Sequence, residues 1–352
     1  MPKLEVERLR QLGTAILNAL GSPPERSAWV IETLLRANLA GHDSHGIMRL
    51  LQYVEFLRAG YIDPQADIVT LRESASIAVL DAGRTWGQVA AREAMRRAIE
   101  LADDSGISLA ALVNCPHIGR LGEYVVMAAQ RDMIGLAYVN SRTSGMGSVV
   151  PWGGIDGRFT PTPLAFAAPS GLDFPVLVDI TASVMPEGKI RDHLFRGAEL
   201  PEDVIIDAEG KPSRAAKDFY GPPAGGLLPL GGPVGHKGYA LGVMIEMLAG
   251  GLSGAGYVSE EAVTHGNGVL FQVMNIAAME DIDEFKRRTR ALIAHVKSSR
   301  TRAGVDEVLF PGEPEYRMAQ RRQAEGLTLP ESLWTALCEL AAELGIDAGG
   351  KS

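Results

Sequence analysis

The segment Gly41-His42-Asp43-Ser44-His45-Gly46-Ile47-Met48-Arg49-Leu50 brings a hydroxyl, an imidazole and a guanidinium close together along the chain. With Ser44 as N-cap, a helix would run through Ile47 and close at Gly60, placing His45, Arg49 and Tyr53 at i, i+4 and i+8 on one face. A guanidinium grips a carboxylate in a two-pronged fork, and an imidazole gives or takes a proton near neutral pH. The pair suits interconversion of a 2-oxo acid and a 2-hydroxy acid, with Arg49 holding the carboxylate while His45 exchanges the proton on the reacting oxygen. The charge of Arg49 would also disfavour the imidazolium. The plainer alternative is a histidine in the first turn of a helix beside a solvated arginine, and spacing leaves both open.

A second cluster, Asn114-Cys115-Pro116-His117-Ile118-Gly119-Arg120, falls where a buried strand is expected to end and a helix to begin. Open α/β sheets bind ligands at such strand ends. His117 is therefore a second candidate acid or base and Arg120 a second anion contact; a capping histidine at a tight turn is the alternative. Cys115 beside His117 lacks a third group to orient the pair, so nucleophilic catalysis is not expected. His42, Asp43 and His45 cluster closely, but no HxH, HExxH or carboxylate set completes a ligand pattern, and no metal is expected. A GxSxG nucleophile elbow is absent as well.

GxGxxG does not occur, which excludes the standard dinucleotide fingerprint. What remains is Gly231-Gly232-Pro233-Val234-Gly235-His236-Lys237-Gly238, leading into a helix. Backbone N–H groups, the helix N-terminus and Lys237 together form a phosphate site in principle. A glycine-rich connection with a solvated lysine is the alternative. The segment Phe310-Pro311-Gly312-Glu313-Pro314 reads as a rigid turn able to face a ligand.

Three helices are expected between Leu4 and Gly60, broken at Gly21–Pro24 and Gly41–Ser44. A strand over Ser76–Asp81 and a helix over Gln88–Asp104 follow. The runs LAALV, IGLAYV, LAFAAP and VLVDI read as buried strands, and Gly119–Asp132, Tyr239–Leu252, Asp281–Lys297 and Pro330–Leu344 as helices. Gly221–Gly238, rich in glycine and proline, reads as a structured loop or mobile lid. The pattern is mixed α and β. At 352 residues about two domains are expected, and 46% hydrophobic against 22% charged residues is ordinary globular composition. A formal charge of -9 argues against nucleic acid as a partner. Two cysteines, Cys115 and Cys338, fit a reducing compartment. No secretory h-region and no 18-residue apolar run is present, so a cytoplasmic protein without membrane contact is expected.

At these residues the chain resembles the malate/L-lactate dehydrogenase family, whose members lack a Rossmann domain and include ureidoglycolate, sulfolactate, diketogulonate and cyclic-imine carboxylate enzymes. The marks, in order, are Ser44-His45-Gly46 with Arg49-Leu50, His117 with Arg120, Gly122 and Tyr124, Asn140-Ser141, Asp179 through Ser183 with Gly188-Lys189, Gly235-His236-Lys237-Gly238, and Pro311-Gly312-Glu313. The resemblance covers nearly the whole chain. It implies an NAD- or NADP-dependent oxidoreductase acting on a small 2-hydroxy or 2-oxo carboxylic acid, and a homodimer. It implies an α/β fold with a central, largely antiparallel sheet in the cofactor domain and a discontinuous, mainly helical domain. The expected division is 1–115 mainly helical, 116–289 cofactor-binding, and 290–352 a helical segment packing on the first.

In some members the histidine matching His45 is the proton donor, and in others the one matching His117 is the proton acceptor. His45 is preferred because Arg49 shares its expected helix face. By the same resemblance Ser44 and Tyr53 orient His45 or the substrate, Arg49 binds the carboxylate with Arg120 nearby, and Asn140 lines the nicotinamide pocket. Cofactor contacts are implied for Val178, Asp179, Ile180, Thr181, His236, Lys237, Gly312, Glu313 and Pro314. The family's Gly-Thr-Asn-Pro is Thr160-Pro161-Thr162-Pro163 here, losing a permissive glycine, an amide side chain and a backbone donor. Spacing does not separate the 2-oxo acid reading from a cyclic imine carboxylate reductase, and the departure motivates a further alternative, a cofactor-binding homologue without turnover.

Overall fold

The computed structural model describes residues 2–142, 147–259 and 266–348. The chain opens with a short strand, β1 (Lys3–Leu4), and helices α1 (Val6–Ala19) and α2 (Pro24–Leu39), the latter starting at a proline whose missing N–H costs nothing there. A 3-10 turn over Asp43–His45 leads to α3 (Arg49–Arg58), after which Gly60 takes a left-handed φ of 74°. These helices bury Leu9, Ile16, Leu34, Leu50 and Tyr53 in one core. The far end of the chain enters the same core: β12 (Leu327–Thr328) pairs antiparallel with β1, and α11 (Glu331–Glu343) adds Leu337, Leu340 and Ala341.

The central sheet has seven strands in the order β2 (Val69–Glu73), β3 (Ile77–Asp81), β4 (Ile107–Cys115), β11 (Gly266–Asn275), β5 (Met133–Arg142), β6 (Pro163–Ala168) and β7 (Val176–Thr181). Only β3 and β4 run parallel, joined by α4 (Gly87–Ser105); every other pair is antiparallel. This is the expected non-Rossmann, largely antiparallel sheet. Alternation sends Ala78, Leu80, Ala110, Leu112, Ala137, Val139, Val269 and Phe271 to one face, under α4 and α5 (Gly122–Ala129). The opposite face is covered at its centre by α8 (His236–Ile245) and a π-helical turn over Glu246–Leu252. Beyond that cover Ile77 and Ile107 are exposed, and Val79, Leu109, Leu136 and Met274 are half-buried.

A small lobe follows β7. It comprises α6 (Glu187–Arg196), β8 (Ile205–Ile206), β9 (Pro212–Ser213), α7 (Ala216–Tyr220) and β10 (Gly226–Leu227), closed over Ile190, Leu200, Ile205, Phe219 and Leu227. Two further helices are α9 (Ile282–Lys297), capped by the Asp281 carboxylate, and α10 (Glu313–Glu325). Among the described residues no helix is long and apolar enough to cross a membrane.

Several expectations change. The helix expected from Ser44 begins at Arg49, because residues 43–45 turn too tightly to continue into it. The helix expected over Gly119–Asp132 shortens to α5, since Gly119 at φ 79° lies in an irregular turn. The Gly231–Gly238 loop surrenders its end to α8, which starts at His236 rather than Tyr239. Residues 69–115, placed on the helical side of the expected division, supply three strands and α4 to the central sheet and its cover.

Candidate active site

Asn38, at the end of α2, shapes the turn that carries Ser44 and His45. Its Oδ1 accepts from the Ile47 amide at 2.7 Å and its Nδ2 donates to Asp43 Oδ1 at 2.6 Å. A Cβ at Gly46 would lie 2.2 Å from Asn38 Oδ1, so glycine is required in this motif. Arg322 of α10 locks the other side, donating Nη1 and Nη2 to the Asp43 carboxylate at 2.7 and 3.0 Å, and Nη1 also to the Asn38 carbonyl. Ser44 Oγ lies 3.2 Å from His45 Nδ1. Arg49, on the first turn of α3, reaches back to donate Nε to the Ser44 carbonyl at 2.7 Å and Nη1 to Gln52 Oε1 at 2.7 Å. His45 and Arg49 are thus brought together by a folded-back arginine, not by a shared helix face.

His117 arrives from the turn after β4. Gly87, the first residue of α4, makes room for it: a Cβ there would stand 2.4 Å from the Pro116 and His117 carbonyls. The His117 ring stacks on His45 with centroids 5.6 Å apart and 24° between planes. Its Nδ1 lies 2.8 Å from the Tyr53 hydroxyl, and Gln88 Nε2 donates to that hydroxyl at 2.8 Å. Ser44, His45, Arg49, Tyr53 and His117 therefore form one cluster. Gln52, Gln88 and Arg322, which hold it, carry no motif signal in the sequence. Burial pushes the Cys115 thiol well up, in keeping with its reading as a core residue.

Burial, then Arg49, His42 and Arg120, push the His45 imidazole down to about 3. Burial, then Arg49 and His45, hold His117 well below the ordinary histidine value. Both rings are neutral at neutral pH. A histidine depressed from 6.5 in the unfolded chain to about 3 binds fewer protons when folded, so its stability contribution is complete above pH 6.5 and lost as pH falls below it. In urea unfolding between pH 8 and pH 5 the parent should lose about 2 kcal/mol more than His45→Asn. Equal losses would show that His45 is not held neutral.

Arg120 is already engaged: Nη1 donates to Glu123 at 3.1 Å, and Nε, buried without a hydrogen bond, lies 3.6 Å from Asp179. Asp179 Oδ2 accepts from the Gly122 amide at 2.8 Å. Burial raises both the Glu123 and the Asp179 carboxyl, partly offset by Arg120. Arg120 thus has acidic partners within the protein, whereas Arg49 forms no ion pair among the described residues and sits against the paired imidazoles.

Two residues expected to meet a ligand have their polar atoms engaged within the protein. Asn140 is fully buried, and its amide is taken up by protein groups: Oδ1 accepts from Gly268, and Nδ2 donates to Glu246 Oε2 at 2.8 Å and to the Gly256 carbonyl at 2.9 Å. It ties β5 to the π-helical turn. Glu313, also buried, is held by Lys297, Arg317 and the Phe310 amide, and so braces its own loop. Glu246 carries one unpartnered buried oxygen, and burial raises its carboxyl to about 7. Because that value exceeds the ordinary 4.5, the folded chain binds the extra proton and loses stability as pH rises between them. Glu246→Gln should abolish that loss, leaving the variant at least about 1 kcal/mol more stable than the parent at pH 8 by urea unfolding; an unchanged pH slope would refute this.

The remaining candidates lie along the edge strand β7. At its start the Leu177 amide donates to the Pro311 carbonyl, and Gly312, with φ 97°, has no space for a Cβ against the Pro175 carbonyl. Pro314 is exposed beside it. Val178 and Thr181 are half-buried and Ile180 is exposed. Just past the strand, the Leu230 amide donates to the Ala182 carbonyl, which brings up the start of α8 with His236 and Lys237 exposed. A cationic side chain with no ion pair among the described residues, at a helix N-terminus and beside an accessible apolar edge strand, fits a phosphate-bearing dinucleotide. Thr160-Pro161-Thr162-Pro163 leads into β6. Thr162 adopts φ 40°, and Thr160 Oγ1 accepts from the Ser141 amide at 3.3 Å.

Paired imidazoles beside an arginine, on a mixed sheet with a non-Rossmann topology, define a class of hydroxy-acid oxidoreductase. The chain belongs to the malate/L-lactate dehydrogenase family, whose family model matches residues 4–338. It is an NAD- or NADP-dependent dehydrogenase of small hydroxy acids. It is 37% identical to the L-sulfolactate dehydrogenase of Methanothermobacter thermautotrophicus, over 98% of this chain and 97% of that one. Among solved structures it resembles the malate dehydrogenase of Pyrococcus horikoshii (TM-score 0.89, 31% identity, 98% and 96% coverage). It also resembles the delta1-piperideine-2-carboxylate reductase of Pseudomonas syringae (TM-score 0.84, 28% identity, 97% and 100% coverage).

Proposed function

We propose that the protein interconverts a small 2-oxo acid and its 2-hydroxy acid, with Arg49 as the carboxylate anchor and His45 as the proton-transfer group. The observation that carries this reading is Arg49. It is held in place by the Ser44 carbonyl and Gln52, has no acidic partner among the described residues, and stands beside two neutral imidazoles. A carboxylate forked by Arg49 cancels one of the charges that depress His45, so substrate binding raises the affinity of His45 for the proton it must deliver. A nicotinamide cofactor held along β7 and the start of α8 would supply the hydride chemistry that a 2-oxo or 2-hydroxy acid needs. Ser44 orients the His45 ring through Nδ1, and Tyr53 does the same for His117. Val178, Asp179, Ile180 and Thr181 with His236, Lys237, Gly312 and Pro314 would line the cofactor path, Asp179 by holding the start of α5.

The likeness to a piperideine carboxylate reductase favours one second reading, reduction of a cyclic imine carboxylate gripped by the same Arg49. A panel of 2-oxo acids and cyclic imine carboxylates, each with NADH and NADPH and followed by cofactor absorbance, separates the two. Turnover of 2-oxo acids supports the first reading and turnover of imines alone the second. Cofactor binding without turnover across the panel would indicate a homologue that keeps the fold and not the chemistry.

The reading includes a two-part chain, in which helices from both termini form one unit and the sheet the other, and a cytoplasmic homodimer. Support for the dimer comes from the open sheet face carrying Ile77 and Ile107, beside exposed Met244, Met247 and Leu252 on its cover. Apolar surface of this kind on a sheet usually meets a partner. Light scattering should give twice the single-chain mass.

A further inference from the structure

Gln88 stands outside every motif, yet its side chain is almost completely enclosed and ends on the Tyr53 hydroxyl. Its backbone is fixed by the Trp29 indole, which donates to the Gln88 carbonyl at 2.9 Å, and by the close packing of Gly87 on the His117 turn. The atom set against Tyr53 is the amide nitrogen, which only donates. Tyr53 oxygen therefore accepts from Gln88, and the one hydrogen of its hydroxyl is left for His117 Nδ1, 2.8 Å away. A ring nitrogen that accepts carries no hydrogen, so the hydrogen of neutral His117 lies on Nε2.

We propose that Gln88 is a positioning residue which, through Tyr53, fixes His117 as its Nε2–H tautomer, so that His117 donates a hydrogen bond to the substrate oxygen while His45 exchanges the proton. The inference rests on the function proposed above and divides labour between the two stacked imidazoles. His117 moves no proton in this scheme: it holds the reacting oxygen and stabilises the charge developing there. His45 has, among the described residues, one hydrogen-bond partner at its ring nitrogens, the freely rotating Ser44 hydroxyl, whereas His117 has its tautomer set by a chain of two directed hydrogen bonds.

The test uses Gln88→Glu, which keeps the shape and reverses the direction of the chain. An ionised carboxylate only accepts, so Tyr53 turns its hydrogen toward it and accepts from His117 Nδ1–H, leaving Nε2 bare. Nitrogen NMR of histidine-labelled protein at pH 8 should show Nε2–H at His117 in the parent and Nδ1–H in Gln88→Glu. Reduction of a 2-oxo acid should fall at least about 10-fold in Gln88→Glu at pH 8 and recover as the pH is lowered, because a protonated carboxyl donates again. Should that variant not fold, Tyr53→Phe interrupts the same chain and should leave His117 as a mixture of tautomers. A parent spectrum with Nδ1–H, an unchanged tautomer in both variants, or a pH-independent loss in Gln88→Glu would overturn the proposal. The NMR readout needs no turnover, so its failure is distinct from failure of the proposed reaction.

Discussion

Replacing His45 with alanine should lower kcat for 2-oxo acid reduction at least about 100-fold, with KM for the acid changing only a few-fold. The split follows from the division of roles: Arg49 still forks the carboxylate, but no group remains to exchange the proton on the oxygen. The pH profile supplies the confirming readout. In the parent kcat should depend on an ionisation belonging to the substrate-bound enzyme, since Arg49 depresses His45 only until a carboxylate neutralises it. That ionisation should vanish in the variant. A His45→Ala enzyme with parental kcat would transfer the proton-exchange role to another group, with His117 the first candidate 5.6 Å away.

The second large effect is expected at Arg49. A charge-assisted hydrogen bond contributes about 1.5–3 kcal/mol, so Arg49→Ala should raise KM for the acid about 10- to 100-fold. Some loss of kcat should accompany it, because the same guanidinium aligns the carbonyl beneath the imidazoles. Steady-state kinetics across the acid panel measures both. The variant also removes a charge that depresses both histidines, so its imidazoles should titrate at higher pH than the parent's. A KM unchanged by Arg49→Ala would leave the carboxylate without its proposed anchor.

How much of this was legible beforehand differs by element. Strongly periodic segments such as α4, and apolar runs such as β4 to β7, declare themselves because one face or the whole strand is buried. The sheet's central strand β11 does not: Gly-Asn-Gly-Val at its start reads as a turn, and its pairing with both β4 and β5 is a long-range fact. Helix α10 is almost uniformly polar and shows no apolar stripe, yet its Arg322 clamps the turn bearing Ser44 and His45. Residue type at His45, Arg49 and His117 points to acid–base and carboxylate chemistry, while the reason the three meet is not legible in the sequence. A continuous helix was expected to align His45 with Arg49; a 3-10 turn and a folded-back guanidinium do it instead. Asn140 and Glu313 carry family marks, and the partners their polar atoms find inside the protein are not legible in the sequence.

The most direct test is the ratio of kcat/KM for a 2-oxo acid to that for its primary amide, measured with reduced cofactor in the parent and in Arg49→Ala. A carboxylate held by Arg49 predicts a large ratio in the parent that collapses toward one in the variant, through loss of activity on the acid alone. A ratio that is the same in both enzymes would contradict the account.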